Sequence, residues 1–213
     1  MKEDFYPALV ESQFYHIYNR GNNRDTIFYK HENYLYFLRK YDECLSPFVD
    51  TYAYCLLPNH FHLLVRVKNA EEVVEAARLS KFQKLGKSLS EVDEIISEAF
   101  RRFFMSYAKA INKQESRVGS LFQKNFKRKQ IDNDRYFTTV VHYIHANPQR
   151  HRICKDYREY AHSSYGSLLA DKATKLQKQK ILDWFGGKEG YLKFHETNLI
   201  EVMESKAFVI EEE

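Results

Sequence analysis

The chain has 213 residues, of which 44% are hydrophobic and 29% charged, and a net charge of +4, which fits one folded domain with or without an extension rather than a disordered protein. No apolar run approaches the ~18 residues of a membrane helix, and the first residues lack a secretion-signal profile. The three isolated cysteines suit a reducing compartment and exclude a disulfide framework or a cysteine-rich zinc site. We therefore expect a cytoplasmic protein without a membrane segment.

The first half of the chain reads as strands alternating with helices. Period-two alternation indicates a strand, and apolar residues three and four apart indicate a helix. The linker Pro58-Asn59-His60 is short enough to join two neighbouring strands in antiparallel fashion. The predicted elements are a strand at 13–20, a helix at 31–45, strands at 49–57 and 61–68, and helices at 71–85 and 91–113.

The segment Pro58-Asn59-His60-Phe61-His62 is the most informative local pattern. Residues two apart in a strand face the same side, so His60 and His62 present two imidazoles together at the start of a hydrophobic strand. Neutral imidazoles bind divalent metals and leave coordination positions open for oxygen ligands and substrate. The pair is therefore a candidate metal site, and the alternative is two unrelated histidines among the nine of the chain.

A strongly basic stretch follows the longest predicted helix. Residues 101–160 carry 14 Lys and Arg against 5 Asp and Glu, a net charge of +9, whereas residues 1–100 and 161–213 are net acidic. Cations attract phosphates and exposed rings stack on unpaired bases, so the block favours a polyanion surface over a merely solvated basic face. Within a strand predicted at 120–131, the expected phosphate contacts are Lys124, Lys127, Arg128 and Lys129, with Phe122 or Phe126 available for stacking.

A helix predicted over 134–146 carries a second group of candidates. Asp132, Asn133 and Asp134 offer N-caps, and Pro148 is expected to stop the helix. Tyr143 and Asn147 are four residues apart, which makes them neighbours on one side of a helix and its continuation. A phenol has a pKa near ~10 and needs activation, which a metal-bound phosphate can supply. The alternative is that Tyr143 is structural, like most of the 16 tyrosines.

The order of predicted elements describes an α+β protein. Strand, helix, two strands, two helices, strand and helix form an antiparallel sheet with helices packed on one face, of the ferredoxin-like kind. Residues 1–150 are predicted to form this core, and 151–213 an extension that is helical in part, with a helix at 172–185. His142, His145 and His16 have a structural interpretation first. His145 points away from Tyr143 on a helix, and His16 lies on the first strand, from which it could approach the site although no local pattern shows that it does.

These motifs resemble those of the REP-associated tyrosine transposases, single-tyrosine members of the HUH (His-hydrophobic-His) endonucleases. The likeness covers about residues 13–168, and five segments match in the same order. These are the first strand and turn (YHIYNRGNNR, 15–24), PNHFH (58–62), the basic segment GSLFQKNFK (119–127), YIHANP (143–148) and SSY (163–165).

The resemblance implies DNA strand cleavage and rejoining on single-stranded, hairpin-associated DNA through a 5′-phosphotyrosine intermediate. It implies that His60 and His62 bind Mg²⁺ or Mn²⁺, that Tyr143 is the nucleophile and that Asn147 is the third ligand. Relatives often carry Gln at that third place. Asn is one methylene shorter, so water is expected to complete the coordination, as it does for Mg²⁺ in many sites.

Two further interpretations stay open. The chain could be a DNA or RNA hairpin-binding protein that descends from a transposase and does not cleave. It could also be a metal-storage or zinc-structural protein, which the lack of cysteine clustering and the basic block disfavour. The oligomeric state stays open as well, with a homodimer as one possibility, because relatives occur as dimers and as monomers.

Overall fold

The computed structural model describes residues 6–80 and 91–197. Within these ranges the chain forms four strands and seven α-helices, together with short 3₁₀ turns. The predicted helix at 71–85 ends earlier, and positions 81–85 lie outside the described residues. The elements are β1 (Phe14–Arg20), α1 (His31–Leu45), β2 (Val49–Leu57), β3 (His60–Val67), α2 (Ala70–Leu79), α3 (Val92–Gln114), β4 (Lys127–Ile131), α4 (Asp134–Arg150), α5 (Tyr165–Leu169), α6 (Lys178–Trp184) and α7 (Lys188–Thr197).

The four strands form one antiparallel sheet in the order β2-β3-β1-β4. With helices between β1 and β2 and between β3 and β4, this is the ferredoxin-like arrangement that the element order predicted. The predicted α+β class is therefore confirmed. β1 and β3 occupy the middle, and the short strand β4 forms one outer edge.

The first face of the sheet packs against α1 and α3. On β1, Tyr15 and Ile17 point to this side, and Phe61 and Leu63 do so on β3. The matching side of α1 includes Phe37, whose ring centre is 4.8 Å from that of Phe103 on α3 in an edge-on arrangement. This aromatic core fixes the two central strands that carry the candidate site on their other face.

The second face is covered by α4 and by the residues that follow it. Leu64, Val140, Val141 and Ile144 belong to one buried cluster, which continues into Tyr157, Tyr165, Leu168, Ile181, Leu182 and Tyr191. The sheet therefore carries helices on both faces, not on one face as the sequence pattern suggested. The reason is that apolar side chains of the C-terminal segment are spread over several short elements, each too brief to show a clear period.

Three further predicted elements differ in extent from the observed ones. The strand expected at 120–131 begins only at Lys127, because residues before it run as a loop whose Phe122 makes a single bridge to Gly21. The helix expected at 172–185 spans only Lys178–Trp184.

None of the helices in 6–80 and 91–197 is long and apolar enough to cross a membrane.

The third change is that α4 continues through Pro148 to Arg150. Pro148 removes one helical hydrogen bond near the end of the helix, but its ring is buried and its carbonyl accepts from the Ile153 amide at 2.8 Å. At the other end the side chain of Asn133 accepts from the Tyr136 amide at 2.8 Å, the N-cap that the sequence predicted. The continuation keeps Asn147 on the same helix as Tyr143.

Candidate active site

Two histidines stand together at the start of β3. His60 pairs with Leu57 across the turn and with Arg20 on β1, and His62 pairs with Tyr18, so both lie on the second face of the sheet. Their ring centres are 5.3 Å apart and the rings are nearly perpendicular. The turn at Pro58 is anchored to the loop between β1 and α1, because the Pro58 carbonyl accepts from the backbone amides of Ile27 and Phe28. This anchoring holds the two histidines at the rim of the sheet.

Tyr143 of α4 meets this pair. Its ring centre is 5.6 Å from that of His62 in an edge-on arrangement. The helix brings it there because Val140, Val141 and Ile144 pack into the cluster on the second face. The structure thus joins two motifs that are far apart in the sequence.

Asn147 lies one helical turn beyond Tyr143 and is fully buried. Neither polar atom of its side chain has a hydrogen-bond partner among the described residues. A buried carboxamide without partners costs free energy, which is uncommon in folded proteins unless a ligand or ion supplies the contacts. Asn147 is therefore chemically suited to bind something that the protein chain does not provide.

Each rim histidine has its Nδ1 atom held by a neighbour. The Nδ1 of His60 is 2.7 Å from Oδ1 of Asn59, and the Nδ1 of His62 is 2.9 Å from Nε2 of His16. An amide oxygen only accepts, so Nδ1 of His60 donates and Nε2 of that ring keeps its lone pair. Such a tautomer is the one that ligates a metal through Nε2.

A cation also lies beside the phenol. The guanidinium carbon of Arg150 is 5.4 Å from the centre of the Tyr143 ring. The Nη1 atom of Arg150 is buried and has no hydrogen-bond partner among the described residues. The residue as a whole is half-buried, and its guanidinium over the ring face makes a cation–π contact that places a positive charge at this end of the candidate site. Arg150 follows Tyr143 by seven residues, a same-face spacing on a helix, but a helix predicted to end at 146 gave no reason to expect the contact.

The site residues are closed to solvent in this conformation. The exposed fraction is 4% for His60, 1% for Tyr143, and zero for His62 and Asn147. A nucleic-acid strand can reach them only if a covering element moves. Chemistry at this site therefore requires an opening step.

The basic strand β4 divides between the two faces. Lys127 pairs with Tyr18 and Lys129 with His16, so both lysines share the face of the histidines. Arg128 points to the opposite face, where it contacts Asp93 at 3.3 Å and Ser97 at 3.1 Å. Alternation along the strand therefore leaves two of the predicted phosphate contacts on the face of the histidines and places Arg128 among internal contacts on the other face.

The remaining predicted DNA contacts lie in the loop before β4. Lys124 is exposed. Phe122 is 5% exposed and packs in the core near Phe104, and Phe126 packs against Phe100 with ring centres 4.7 Å apart. A groove of about 580 Å³ runs between α3 and this loop, with Phe104, Phe126 and Arg128 in its lining. The ring of Phe122 contributes to packing, which removes it from the candidate stacking residues.

The other side of α4 carries a separate group of buried histidines. Nδ1 of His195 donates to the Tyr191 carbonyl at 2.8 Å, and its Nε2 is 3.2 Å from Nδ1 of His145. Nε2 of His145 is 2.8 Å from the hydroxyl of Ser164. Burial lowers the pKa of His142 to about 4 and that of His195 to about 3, and it also lowers the pKa of His145. His145 thus points away from Tyr143 as predicted and links α4 to the C-terminal helices.

The sequence matches no protein-family profile and no curated protein. Among solved structures, one described as a REP-associated tyrosine transposase bound to a REP hairpin is similar to this chain, with a TM-score of 0.56. The similarity covers 80% of this chain and 87% of that one, at 16% sequence identity. The two proteins share a fold. At this identity the comparison shows the fold alone and leaves the activity to be argued from the site.

Proposed function

We propose that this protein is a metal-dependent, single-tyrosine DNA endonuclease and transposase. In this proposal it cleaves and rejoins single-stranded DNA at or beside a hairpin. The observation that carries the proposal is the approach of the Tyr143 ring to that of His62, at 5.6 Å between centres, on a face shared with His60 and two lysines. Nucleophile, candidate ligands and cations are thereby gathered at one end of one sheet.

The donor set fits a divalent cation. His60 and His62 would hold Mg²⁺ or Mn²⁺ through Nε2, and the partnerless carboxamide of Asn147 would supply an oxygen. Among the described residues no three His, Cys, Asp or Glu side chains form a metal-binding group, so the proposed third protein ligand is an amide. When bound, the cation would polarise the scissile phosphate and offset charge that develops on its oxygens.

The residues of the chain itself account for the covalent step. The phenol oxygen of Tyr143 attacks phosphorus, a tyrosine–phosphate bond forms, and the bond from phosphorus to the 3′ oxygen breaks. The phenol loses its proton and the departing 3′ oxygen gains one. The guanidinium of Arg150, which lies over the Tyr143 ring, would place a positive charge near the anion that develops as the bond forms. The phosphotyrosine conserves the bond free energy, so rejoining needs no nucleoside triphosphate.

DNA is the proposed substrate because of the charge around the site. Lys127 and Lys129 flank the candidate site on its own face, and exposed Lys124 lies in the preceding loop. Together they would provide phosphate contacts along the edge strand β4 and the loop before it. The solved neighbour is bound to a REP hairpin, which supports a hairpin as the first substrate to try.

The test uses a labelled single-stranded DNA hairpin with flanking sequence, incubated with Mn²⁺ and analysed on a denaturing gel. We expect a protein-linked fragment with the natural chain and none with Tyr143→Phe, which should keep its DNA affinity. Tyr136→Phe, on the same helix, is the matched control and should still form the adduct. An adduct that persists in Tyr143→Phe would refute the assignment of the nucleophile.

A second candidate function is hairpin binding without cleavage. The burial of Tyr143, His62 and Asn147 favours it, since a closed site has no direct path for a phosphate. This alternative predicts salt-sensitive retention of hairpin DNA or RNA and no strand scission at any Mn²⁺ concentration. The same gel, with a binding assay beside it, separates the two functions.

A further inference from the structure

His16 lies on β1, next to the proposed metal ligand His62 on the central strand pair. It is 4% exposed, and its Nε2 is 2.9 Å from Nδ1 of His62. The ring centres are 5.1 Å apart and the ring planes are inclined by 29°. The contact is buried, between two rigid strands, so both rings are fixed relative to each other.

A hydrogen bond between two neutral imidazoles holds one proton, which constrains the tautomers of both rings. If Nε2 of His62 keeps its lone pair for a cation, its proton lies on Nδ1 and is donated to Nε2 of His16. His16 then carries its own proton on Nδ1. The acceptor nitrogen of His16 thus selects the form of His62 that can ligate.

The neighbouring histidine shows the same arrangement with a different acceptor. Oδ1 of Asn59 is 2.7 Å from Nδ1 of His60 and orients that ring from the turn. At His62 the turn is too far away along the strand, and the adjacent strand β1 supplies the acceptor in its place. The two rim histidines are therefore each held through Nδ1, by an amide oxygen in one case and by an imidazole nitrogen in the other.

We propose that His16 is a positioning residue, which fixes the tautomer and ring orientation of His62 for metal binding. The inference rests on the proposed metal site, and it adds a residue to which the resemblance assigned no role. Loss of such a partner behind a ligating histidine typically lowers metal affinity about 10–100-fold. A residue kept only for packing would be replaceable by any ring of similar size.

The test compares His16→Phe with His16→Gln. Phe keeps a ring but has no acceptor, whereas the carboxamide oxygen of Gln reaches about as far as Nε2 of histidine. With Mn²⁺ alone as the probe, followed by calorimetry or electron paramagnetic resonance, we expect His16→Phe to bind about 10–100-fold more weakly. His16→Gln should stay within about threefold of the natural chain. His142→Phe, a buried histidine on the other side of α4, is the control and should bind normally.

Unchanged Mn²⁺ affinity in a folded His16→Phe chain would overturn the proposal. Equal weakening by Phe and Gln would also overturn it, because the ring itself would then be what matters. Nitrogen-15 NMR of the imidazoles gives a second readout that needs neither metal nor DNA. We expect the proton of His62 on Nδ1 in the natural chain, and a proton on Nε2 would contradict the inference even if His16→Phe fails to fold.

The same measurements separate this inference from the proposed function. If the natural chain binds no Mn²⁺, or if His62→Ala binds it normally, the metal site itself is wrong. If His62→Ala abolishes binding and His16→Phe leaves it intact, only the role of His16 is wrong.

Discussion

The two sides of α4 each meet a cluster of buried histidines, and the clusters differ in what their nitrogen atoms do. On the sheet side, His60 and His62 have Nδ1 held by Asn59 and His16, an arrangement that directs Nε2 toward a ligand. On the other side, the nitrogens of His145 are taken up by His195 and Ser164 within the protein. In the proposed function the first cluster binds a metal ion, whereas the nitrogens of His145 in the second cluster are already within hydrogen-bonding distance of other side chains of the chain.

This difference shows that burial alone does not identify a functional histidine. His62 and His145 are both fully buried. What separates them is their neighbours. The phenol of Tyr143, the partnerless amide of Asn147 and the half-buried guanidinium of Arg150 lie on the side of the first, whereas a backbone carbonyl and hydroxyl groups lie around the second. The predictions below would break or sharpen this distinction, in order of decreasing effect.

Substitution of the rim histidines should remove cleavage. We expect His62→Ala and His60→Ala to lower the Mn²⁺-dependent rate of adduct formation by about three orders of magnitude, because a metal supplies several kcal/mol of transition-state stabilisation. The rate is followed with the labelled hairpin on denaturing gels. His142→Phe from the other cluster should cleave at close to the normal rate, and equal losses in both clusters would contradict the division.

Acid should destabilise the protein through the second cluster. His142 and His195 have pKa values lowered to about 4 and about 3 by burial, against roughly 6.5 in the unfolded chain. Above pH ~6.5 both histidines are neutral in the folded and unfolded chain, and the free energy of unfolding has its full value. Below that pH the unfolded chain binds protons more readily than the folded one. The free energy of unfolding therefore falls by up to about 1.4 kcal/mol per pH unit for each histidine. Urea unfolding at pH 7.5, 6 and 5 measures this slope.

The matched variant for the acid prediction is His142→Phe, which removes one of the two titrating groups. Its free energy of unfolding should fall less steeply between pH 6.5 and 5 than that of the natural chain. Identical slopes would mean that His142 is accessible to protons in the folded state.

Loss of the Ser164 hydroxyl should destabilise the fold without touching the metal site. This oxygen is 2.8 Å from Nε2 of His145 and accepts from the Tyr54 amide at 2.9 Å. Ser164→Ala leaves both groups buried without that partner, which should cost about 1–3 kcal/mol in the free energy of unfolding. Ser163→Ala is the neighbouring control with a smaller expected loss, and a fall in Mn²⁺ affinity for Ser164→Ala would link the two clusters.

The smallest effect is expected at β4. Lys129→Ala should weaken binding of single-stranded DNA several-fold and lower the slope of log affinity against log salt by about 0.7, the value for one phosphate contact. Arg128→Ala, next to it but on the opposite face, should leave that slope unchanged and reduce stability through its contacts with Asp93 and Ser97. Equal slopes for the two variants would contradict the division of β4 between faces.

Much of the sheet could be predicted from sequence, because each central strand shows its pattern locally. Tyr15 and Ile17 alternate with His16 and Tyr18, and the Pro58 turn marks the hairpin. The histidine pair could be found for the same reason, since its two members are neighbours in one strand. The position of Asn147 was harder to predict, because α4 continues through Pro148 although proline usually ends a helix. That continuation depends on the tertiary packing of the helix end.

The contacts that complete the site could not be predicted from spacing. His16 meets His62 only through the register of β1 against β3, and Arg150 reaches Tyr143 only through side-chain conformation. The second layer of helices was missed because its apolar residues, Tyr157, Leu168 and Ile181 among them, are scattered over elements of a few residues. Such pairings arise from the fold as a whole and have no local period.

One last consequence concerns the two margins of the sheet. The β2 margin is covered by the C-terminal segment. There the backbone amide of Gln177 donates to the Thr51 carbonyl, and the backbone amide of Ser164 donates to the Tyr54 carbonyl. The β4 margin is open in the part of the chain that the structure describes, yet it is only five residues long and includes Lys127 and Lys129. Short, cationic margins discourage a strand from another molecule from adding to the ladder. The lysines proposed for phosphate binding therefore also disfavour aggregation through pairing of edge strands.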